Sequence, residues 1–565
     1  MTTFSHLLAQ HCHQTPDRMA LVLQHAGQPD TVLSYRDLMR GAHGFARTYA
    51  DAGLQPGEVV VLILQHGADL VYAFWGAVLH GAIPSIMPFL TEKLSPERYR
   101  ADLAALVEIT RPSAIVTYPE FAPEVRAALR TGSSVRAVLV TDAIQPPSEP
   151  DFSTLPGLRR AAEDIVLLQH SSGTTGLQKG VALSHRAVLN QLDAYGAAIA
   201  LNPAHDVIVS WLPLYHDMGL IASFILPILR GVPLVLMSPF DWVRAPQRLL
   251  LAVSQYRGTL SWLPNFAFNF CAQKIRERHL EGVDLSSWRA VINCSEPVRW
   301  ESHHMFIEKF KPFGLNPLAP QTSYAMAENV FGVTQSALDR APAVDEIDRE
   351  SFMTERVARP KTEGRPAIRM MSSGRPIANT RIRILDEKGR DLPERVVGEI
   401  ALQSDCMLTG YYNRPDATAT ALVDGWYLTG DYGYVADGEL YVSGRKKDMI
   451  IVGGKNVYPQ DIESLASEVP GVHPGRVVAF GLFDEETGTE DVVVVAEVDD
   501  ESPDAHQKLA DAIRKHVTQN SAIALRYVRV VGPRWILKTS SGKTARAANK
   551  EKFLRELRAP ERSTL

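Results

Sequence analysis

The residues best suited to chemistry lie in one run of hydroxyl, glycine and lysine residues. The run spans residues 169–180 (QHSSGTTGLQKG), and apolar stretches stand on both sides of it, at 164–168 and 181–184. Glycines let a backbone bend so that N–H and O–H donors converge on polyphosphate oxygens, and a lysine adds a point charge. The candidate phosphate-binding residues are Ser171, Ser172, Gly173, Thr174, Thr175, Gly176 and Lys179.

This run does not have the spacing of the common P-loop, G-x-x-x-x-G-K-[ST]. A second run at 541–544 (SGKT) also fails that pattern, because Leu537 stands where the first glycine is required. A serine- and glycine-rich surface turn is the alternative interpretation of the first run. The remaining segments of the chain must decide between the two.

The composition indicates a globular protein with more than one domain, because 565 residues exceed the size of a single core. A net charge of −5 gives no global attraction to nucleic acid or to anionic membranes. Four scattered cysteines fit a reducing compartment. The sequence has neither a signal-peptide pattern nor an apolar run of the roughly 20 residues that a membrane span needs. We therefore expect a cytoplasmic protein that is not membrane-embedded and does not bind nucleic acid.

Strand and helix patterns alternate from about residue 15 to about residue 300, which predicts α/β layers with largely parallel sheets. Phosphate-binding loops in such sheets lie at the carboxyl ends of strands, and the run at 169–180 follows an apolar strand pattern. The predicted strands lie at 59–64, 165–168, 207–211, 232–236 and 259–262, and the predicted helices at 69–79, 186–200, 218–229 and 245–255.

The pattern changes after residue 402 to short turns and β-like segments, and again after Lys447 to a compact α+β pattern. We predict a large N-terminal domain of α/β layers with a small β-rich subdomain, over residues 1–446. A small, mobile α+β domain follows at 447–565, with strands at 476–480 and 491–497 and helices at 506–517 and 545–558. The proline- and charge-rich stretch 337–366 lacks periodicity, which indicates an inserted loop or small excursion.

Five further segments follow the phosphate run in order, and together they resemble the signature motifs of the adenylate-forming superfamily. That superfamily comprises acyl-CoA synthetases, peptide-synthetase adenylation domains and luciferases. Any one motif is weak, but six in sequence leave little room for coincidence. The five segments are 211–219 (WLPLYHDMG), 322–328 (TSYAMAE), 426–431 (WYLTGD), 444–450 (GRKKDMI) and 538–543 (KTSSGK).

Within the superfamily the chain is most similar to fatty acyl-AMP ligases. The resemblance depends on HDMG at 216–219, PNFAF at 264–268, NCSEPVR at 293–299 and NVYPQDIE at 456–463. The long gap between Glu328 and Gly374 also resembles an extra segment that those ligases carry. In the family that segment is thought to restrain the small domain and to disfavour CoA; a solvent-exposed spacer is the alternative.

The resemblance implies ATP- and Mg²⁺-dependent activation of a carboxylic acid, which we expect to be a fatty acid. A carboxylate acylates poorly, whereas attack on the α-phosphate of ATP gives a mixed anhydride from which AMP leaves readily. Both reactants are anionic, so their approach needs electrostatic compensation. By resemblance, Thr174, Thr175 and Lys179 hold the β- and γ-phosphates, and Glu328, with Thr174, holds Mg²⁺. Lys543 bridges the carboxylate and the α-phosphate; a solvated lysine is its alternative.

The remaining site residues are also carried over by resemblance. Asp431 suits the ribose diol and Arg445 the ribose or α-phosphate, although each could be an ordinary turn residue. His216 lies beside the carboxylate; a purely structural histidine is the alternative. Lys447 is the hinge between the adenylating and thiol-transfer arrangements, and a solvated lysine pair at 446–447 is the alternative there. The expected nucleotide residues, with Tyr324 offering a stacking face, are Glu296, Pro297, Ser323, Tyr324, Ala325 and Met326.

The chain departs from the family pattern at several positions that bear on the acid. Ala325 replaces a usual glycine, Cys294-Ser295 replaces the commoner Gly-Ala, and the loop lysine lacks its preceding proline. Trp262 stands where many relatives have small residues. We hypothesise that it shortens the acyl tunnel and favours short, medium or unusual acyl groups. The candidate acid-binding residues are His216, Trp262, Asn265, Cys294 and Ser295.

The acyl acceptor is expected to be the phosphopantetheine thiol of an acyl carrier protein or synthase module, with CoA as the alternative. Residues 526–558 hold ten Lys/Arg against two acidic residues. That charge could steer an acidic carrier, meet CoA phosphates, or simply be a solvated face, so it does not choose between them. A catalytically silent nucleotide- or acyl-binding protein is the other alternative.

Overall fold

The computed structural model describes residues 2–89, 96–146, 151–170, 179–452, 455–473, 475–484, 489–499, 502–521, 523–539 and 542–558. The chain divides into two compact units. Unit 1 comprises residues 1–342, 373–381 and 403–426, and unit 2 comprises 343–372, 382–402 and 427–565. Segments before residue 447 therefore cluster with the C-terminal residues, and the domain boundary at Lys446–Lys447 stays a prediction.

Sixteen α-helices lie among the described residues. They are α1 (Phe4–Gln14), α2 (Tyr35–Asp51), α3 (Ala68–His80), α4 (Pro96–Thr110), α5 (Ala122–Ala128), α6 (His185–Ala198), α7 (Leu226–Arg230), α8 (Pro239–Arg244), α9 (Gln247–Tyr256), α10 (Asn265–Lys274), α11 (Trp300–Phe310), α12 (Arg349–Glu355), α13 (Pro415–Ala421), α14 (Pro459–Ser467), α15 (Pro503–Ser521) and α16 (Arg546–Arg558).

The described strands are mostly short and buried. They are β1 (Met19–Gln24), β2 (Thr31–Ser34), β3 (Val59–Ile63), β4 (Ile83–Ile86), β5 (Ala114–Thr117), β6 (Ala137–Val140), β7 (Ile165–His170), β8 (Gly180–Ser184), β9 (Ile208–Ser210), β10 (Leu234–Met237), β11 (Leu260–Leu263), β12 (Ala290–Asn293), β13 (Pro320–Ala325), β14 (Gly332–Gln335), β15 (Val344–Asp348), β16 (Ala367–Met371), β17 (Arg375–Pro376), β18 (Thr380–Leu385), β19 (Gly398–Ser404), β20 (Gly410–Tyr411), β21 (Leu422–Val423), β22 (Trp426–Ala436), β23 (Glu439–Arg445), β24 (Ile450–Val452), β25 (Lys455–Val457), β26 (Val477–Asp484), β27 (Thr489–Glu497) and β28 (Leu525–Val531).

Unit 1 is built on largely parallel sheets, which confirms the predicted α/β class. A large sheet has the order β17-β14-β13-β12-β11-β9-β10-β1-β2, and its central pairings, from β13 through β1, are parallel. A second sheet, β4-β3-β5-β6, is parallel throughout. Strands covered on both faces need continuous apolar runs, and Val59–Ile63 is buried along its whole length.

The predicted helix at 218–229 has a different form from the one expected. Met218–Ile225 is a π-helix, and α7 continues from it. A Cβ on Gly219 would lie 2.3 Å from the carbonyl oxygen of Pro213, so this close approach requires glycine. The apolar run there is buried all round and does not distinguish a π-helix from an α-helix, which is why the sequence pattern missed the π form.

Unit 2 contains β18, β19, β22 and β23 side by side, and a separate β26-β27-β28 sheet beside α14 and α15. The stretch 337–366 is an excursion with regular structure rather than a plain loop. Strand β15 pairs with β16, and Asp348 caps α12 by accepting from Ser351 N. Ile347 and Phe352 share a core with Tyr432 and Tyr434. Among the described residues, no helix is both long and apolar enough to span a bilayer.

Candidate active site

Two strands flank the candidate phosphate run. β7 and β8 pair antiparallel, with His170 opposite Gly180, so the run begins at the carboxyl end of a strand as expected but leads into a second strand. Ser184 Oγ then accepts from Ala187 N and starts α6. Lys179 stands directly before β8. The other predicted phosphate residues lie outside the described residues, and their roles stay predictions: Ser171, Ser172, Gly173, Thr174, Thr175 and Gly176.

A single tyrosine brings Lys179 and Glu328 together in unit 1. The hydroxyl of Tyr411 donates to Glu328 Oε1 at 2.9 Å. The Nζ of Lys179 lies 4.6 Å from the centroid of the Tyr411 ring, within cation–π range. Tyr411 belongs to β20, which pairs with β8. The sequence patterns missed Tyr411, because the pairing of two strands far apart in the chain has no local signal.

The backbone beside Glu328 is strained and firmly held. Val330 has φ 63° and ψ −55°, a conformation that is rare for a β-branched residue. Phe331 N donates to Asn329 O at 2.6 Å, which closes a γ-turn around Val330. Leu408 N donates to Glu328 O at 2.8 Å, and Asn329 Nδ2 donates to Gly332 O at 2.8 Å. Such strain persists only where the surroundings enforce it, so this turn fixes the position of Glu328.

Strand β13 positions the candidate adenine residues. Ser323 Oγ donates to Thr334 O at 2.7 Å, and Tyr324 N donates to Thr334 Oγ1 at 3.2 Å, which ties both residues to β14. A register shift follows Tyr324, and Ala325 pairs with Gly332. Ala325 is not among the described residues with positive φ, so its Cβ causes no backbone strain there. Met326 N donates to Phe331 O at 2.9 Å, which closes the segment onto the γ-turn.

The loop after β12 is held by a buried polar network. Asn265 Oδ1 accepts from Asn293 Nδ2 at 3.0 Å and from Arg299 N at 3.2 Å. Glu296 Oε2 accepts from Phe266 N at 2.8 Å, and Pro297 follows it in the same loop. The described bonds of Asn265 therefore position this loop.

Cys294 and Ser295 stand in the same loop, and their backbone is unusual. Ser295 has φ 71°, the left-handed region that favours glycine. Its hydroxyl lies 3.7 Å from Cys294 Sγ and 3.9 Å from the sulfur of Met218 in the π-helix. The strained Ser295 turn thus brings the loop against the start of the helix that follows His216.

His303 in this network predicts a pH dependence of stability. Burial lowers the pKa of His303 to about 3, and its Nε2 accepts from Asn293 Nδ2 at 3.1 Å. The ring stays neutral in the folded protein, whereas the unfolded chain takes up a proton below its ordinary pKa of about 6.5. The stability contribution is therefore complete above about pH 6.5 and is lost as pH falls toward 3.

We expect His303→Gln to reduce the loss of unfolding free energy between about pH 7 and about pH 5 by about 2 kcal/mol. Urea unfolding of both proteins at pH 7 and at pH 5 measures this difference. His304→Gln, at an exposed position on the same helix, is the control. An equal pH dependence in wild type and His303→Gln contradicts the assignment.

Trp262 is fully buried and hydrogen-bonded in place. Its indole N–H donates to Tyr195 Oη at 2.8 Å, and Tyr195 Oη donates to Gln335 Oε1 at 2.9 Å. Gly332 leaves room for the Tyr195 ring, since a Cβ there would lie 2.5 Å from it. The indole therefore has one fixed orientation, and a substrate cannot easily displace it.

His216 directly precedes the turn into the π-helix. Its carbonyl oxygen accepts from Leu220 N at 2.7 Å, and its ring lies 4.9 Å from that of Tyr215. The residue as a whole is half-buried, and the ring atom Nε2 is buried. The helix start thus fixes the backbone that carries this imidazole.

Unit 2 carries the other predicted site residues. Asp431 on β22 pairs with Arg445 on β23, and Arg445 Nε lies 3.2 Å from Asp431 Oδ1. Lys447 lies in the short helical turn after β23. Lys446 is not merely solvated, since its Nζ lies 2.8 Å from Glu399 Oε2, which raises the pKa of Lys446.

Lys543 is hydrogen-bonded to Thr539 within unit 2. Lys543 N donates to Thr539 Oγ1 at 3.2 Å, and Thr539 N donates to Lys543 O at 2.7 Å. Gly542 has φ 84°, which only glycine adopts without strain. The two bonds to Thr539 therefore hold the backbone of Lys543 in place.

The basic stretch 526–558 is partly neutralised within unit 2. Arg526 pairs with Asp484 and Asp491, and Arg529 pairs with Glu556. Arg546 pairs with Asp448 and Glu463. These three arginines thus have acidic partners within unit 2, so the stretch offers less free charge than its sequence indicates.

The chain is similar to known proteins over most of its length. The family described as AMP-binding enzyme matches residues 8–412. The long-chain-fatty-acid–AMP ligase FadD32 of Mycolicibacterium smegmatis is 30% identical, over 88% of this chain and 85% of that protein. A solved fatty acyl-adenylate ligase from studies of the E. coli and L. pneumophila enzymes has a TM-score of 0.89 at 28% identity, over 99% of this chain and 98% of its own. The solved structure of McyG A-PCP complexed with phenylalanyl-adenylate has a TM-score of 0.83 at 26% identity, over 98% of this chain and 83% of that chain.

Proposed function

Because this chain belongs to the AMP-binding enzyme family, we propose that it is an ATP-dependent fatty acyl-AMP ligase that serves a carrier protein. It activates a carboxylic, fatty acid to acyl-AMP with release of pyrophosphate. It then passes the acyl group to the phosphopantetheine thiol of an acyl carrier protein. The similarity to fatty acyl-AMP ligases confirms the resemblance drawn from the motifs. The setting we propose is cytoplasmic.

The observation that carries this proposal is the grouping of Lys179, Tyr411 and Glu328. The phenol hydroxyl of Tyr411 donates to the Glu328 carboxylate, and its ring contacts the ammonium group of Lys179, which belongs to the hydroxyl- and glycine-rich run. Terminal phosphates need the cation, and the metal that accompanies a nucleoside triphosphate needs a hard oxygen ligand. A silent binding protein has no chemical reason to keep this pair together with Asp431, Arg445 and Lys543.

The donor set fits Mg²⁺ bound with its nucleotide. The described residues contain no cluster of three or more His, Cys, Asp or Glu side chains that could enclose a metal. Mg²⁺ usually takes one or two protein ligands together with phosphate oxygens and water. Glu328, with the hydroxyl of Thr174, would hold it there. When bound, the ion neutralises charge on the phosphates.

The chain's own residues then serve an in-line displacement. A carboxylate oxygen forms a bond to the α-phosphorus while the bond from that phosphorus to the bridging oxygen breaks, and pyrophosphate leaves. Lys179 binds the departing phosphates, and Lys543 offsets the charge between carboxylate and α-phosphate. In the second step the thiol sulfur attacks the acyl carbon, AMP leaves, and the thiol proton is released.

The segment at 343–372 supports a carrier protein as acceptor. It is tied into unit 2: Asp345 accepts from Tyr434 Oη at 2.9 Å and from Arg395 Nη1 at 3.0 Å. Arg349 Nη1 donates to Asn520 Oδ1 at 3.3 Å, which links α12 to α15. An anchored segment of this kind fits the role that the resemblance gives it, the restraint that disfavours CoA. The partly neutralised basic stretch does not decide the acceptor.

We expect Trp262→Ala to shift the chain-length preference toward longer acids, because it removes the largest rigid side chain that we assign to the acyl pocket. It also costs about 3–5 kcal/mol of unfolding free energy. Pyrophosphate exchange with a series of acids of increasing length measures the preference. Trp262→Phe, which keeps most of the volume, is the matched control, and an unchanged preference in Trp262→Ala would sink the hypothesis.

An acid-panel pyrophosphate-exchange assay tests the function. Acid-dependent exchange supports an adenylating enzyme, and nucleotide binding without exchange supports the silent alternative. Product analysis with holo carrier protein against CoA then identifies the acceptor. Predominant acyl-CoA formation contradicts the carrier-protein assignment while leaving the adenylation step intact.

A further inference from the structure

Tyr411 is held more firmly than a packing residue needs to be. Its backbone N–H donates to Thr418 Oγ1 at 2.9 Å. Thr409 N donates to Ala182 O at 2.9 Å, and Tyr412 N donates to Gly180 O at 2.8 Å. The residue is 7% exposed. Strand β20 is thus hydrogen-bonded to the start of β8, one residue beyond Lys179.

The same segment also fixes the carboxylate side. Leu408 N donates to Glu328 O, and the Tyr411 hydroxyl donates to Glu328 Oε1. Residues 408–412 therefore hold both the strand that follows Lys179 and the turn that carries Glu328. The strained γ-turn at Val330 limits any adjustment on the Glu328 side.

The chemistry of a phenol suits a position between opposite charges. Its hydroxyl donates to a carboxylate and its ring face attracts an ammonium group, so each charge is satisfied separately. An aliphatic residue would do neither, and the two charges would be drawn toward each other. A lysine–glutamate ion pair would use the groups that a nucleotide and its metal need.

We propose that Tyr411 is a positioning residue that keeps Lys179 and Glu328 apart and sets each for a different part of a metal–nucleoside triphosphate. Its hydroxyl orients the Glu328 carboxylate toward the divalent cation, and its ring orients the Lys179 ammonium toward the terminal phosphates. This inference rests on the proposed function and adds a residue that no sequence motif singled out.

The two roles of one side chain can be separated by substitution. Tyr411→Phe keeps the ring over which Lys179 lies but removes the bond to Glu328. Tyr411→Leu removes both. We expect Tyr411→Phe to raise the Mg²⁺ concentration for half-maximal exchange roughly tenfold while the KM for ATP at saturating Mg²⁺ stays within about twofold. Tyr411→Leu should raise both, each by roughly tenfold.

The measurements need a readout besides turnover. Calorimetric titration of ATP into the full-length protein, at several Mg²⁺ concentrations and without acid, reports binding alone. Tyr412→Phe removes the same atom one residue along the chain and should leave both constants within about twofold of wild type. Thermal melting of all variants reports folding.

The outcomes distinguish the inference from the function. Absence of acid-dependent exchange in wild type overturns the proposed function, whatever Tyr411 does. Exchange in wild type with an unchanged Mg²⁺ requirement in Tyr411→Phe overturns the positioning role alone. If Tyr411→Phe and Tyr411→Leu change the KM for ATP and the Mg²⁺ requirement equally, the positioning role is also overturned, since Tyr411 would then act only by packing. If Tyr411→Leu fails to fold, the Mg²⁺ dependence of Tyr411→Phe decides the matter.

Discussion

Replacing Lys543 with alanine is expected to lower acid-dependent pyrophosphate exchange by roughly 100- to 1,000-fold, the usual cost of one charge-stabilising donor in a transition state. Carboxylate and α-phosphate approach each other as anions, and we assign this ammonium group to that repulsion. The backbone of Lys543 is held by its bonds to Thr539 and follows the left-handed Gly542, so removing the side chain beyond Cβ should leave the backbone in place.

The effect should be confined to the first half-reaction. Transfer from added acyl-AMP to the acceptor thiol, and binding of ATP without acid, should stay within about threefold of wild type, because neither needs the charge between carboxylate and α-phosphate. Lys550→Ala, on α16 of the same unit, is the matched control. Undiminished exchange in Lys543→Ala would contradict the assignment, and equal losses in both half-reactions would indicate damage to unit 2.

Much of the fold was accessible from the sequence because its elements have strong local signals. The continuous apolar run of β3 and the long apolar stretch of α3 need no tertiary information, and both were predicted within one or two residues. The regular structure of the excursion at 337–366 was harder to predict from the sequence. Its helix α12 is short and depends on the Asp348 cap and on contacts with Tyr432 and Tyr434, which lie far along the chain.

The candidate site was accessible only where motifs carry it. Lys179 and Glu328 follow from motif order, whereas Tyr411 joins them through strand pairing and the γ-turn at Val330 has no residue signature. For Asn265 the motif identified the residue but not its structural role. A motif position indicates that a residue matters, but only packing shows that its side chain holds the loop after β12.

The second large effect is expected for Glu328→Gln, which should lower kcat/KM for MgATP roughly 100-fold. An amide retains the shape of the side chain and can still accept from the Tyr411 hydroxyl, so folding should be unchanged. It lacks the negative charge that a hard divalent cation prefers, and loss of one carboxylate ligand weakens the metal more than the nucleotide. The loss should therefore shrink as Mg²⁺ is raised.

This dependence on Mg²⁺ separates a metal ligand from a structural carboxylate. Exchange rates over a wide range of Mg²⁺ at fixed ATP measure it, with melting curves as a check on folding. Glu308→Gln, exposed on α11, is the matched control. A loss in Glu328→Gln that is the same at every Mg²⁺ concentration would mean that the carboxylate acts by orienting Tyr411 and the γ-turn, and the metal would then require a different ligand. Partial recovery at high Mg²⁺, together with the same direction of change in Tyr411→Phe, would place the carboxylate and the phenol in one metal-binding unit, since we assign the effect of the hydroxyl on the metal to its bond with Glu328.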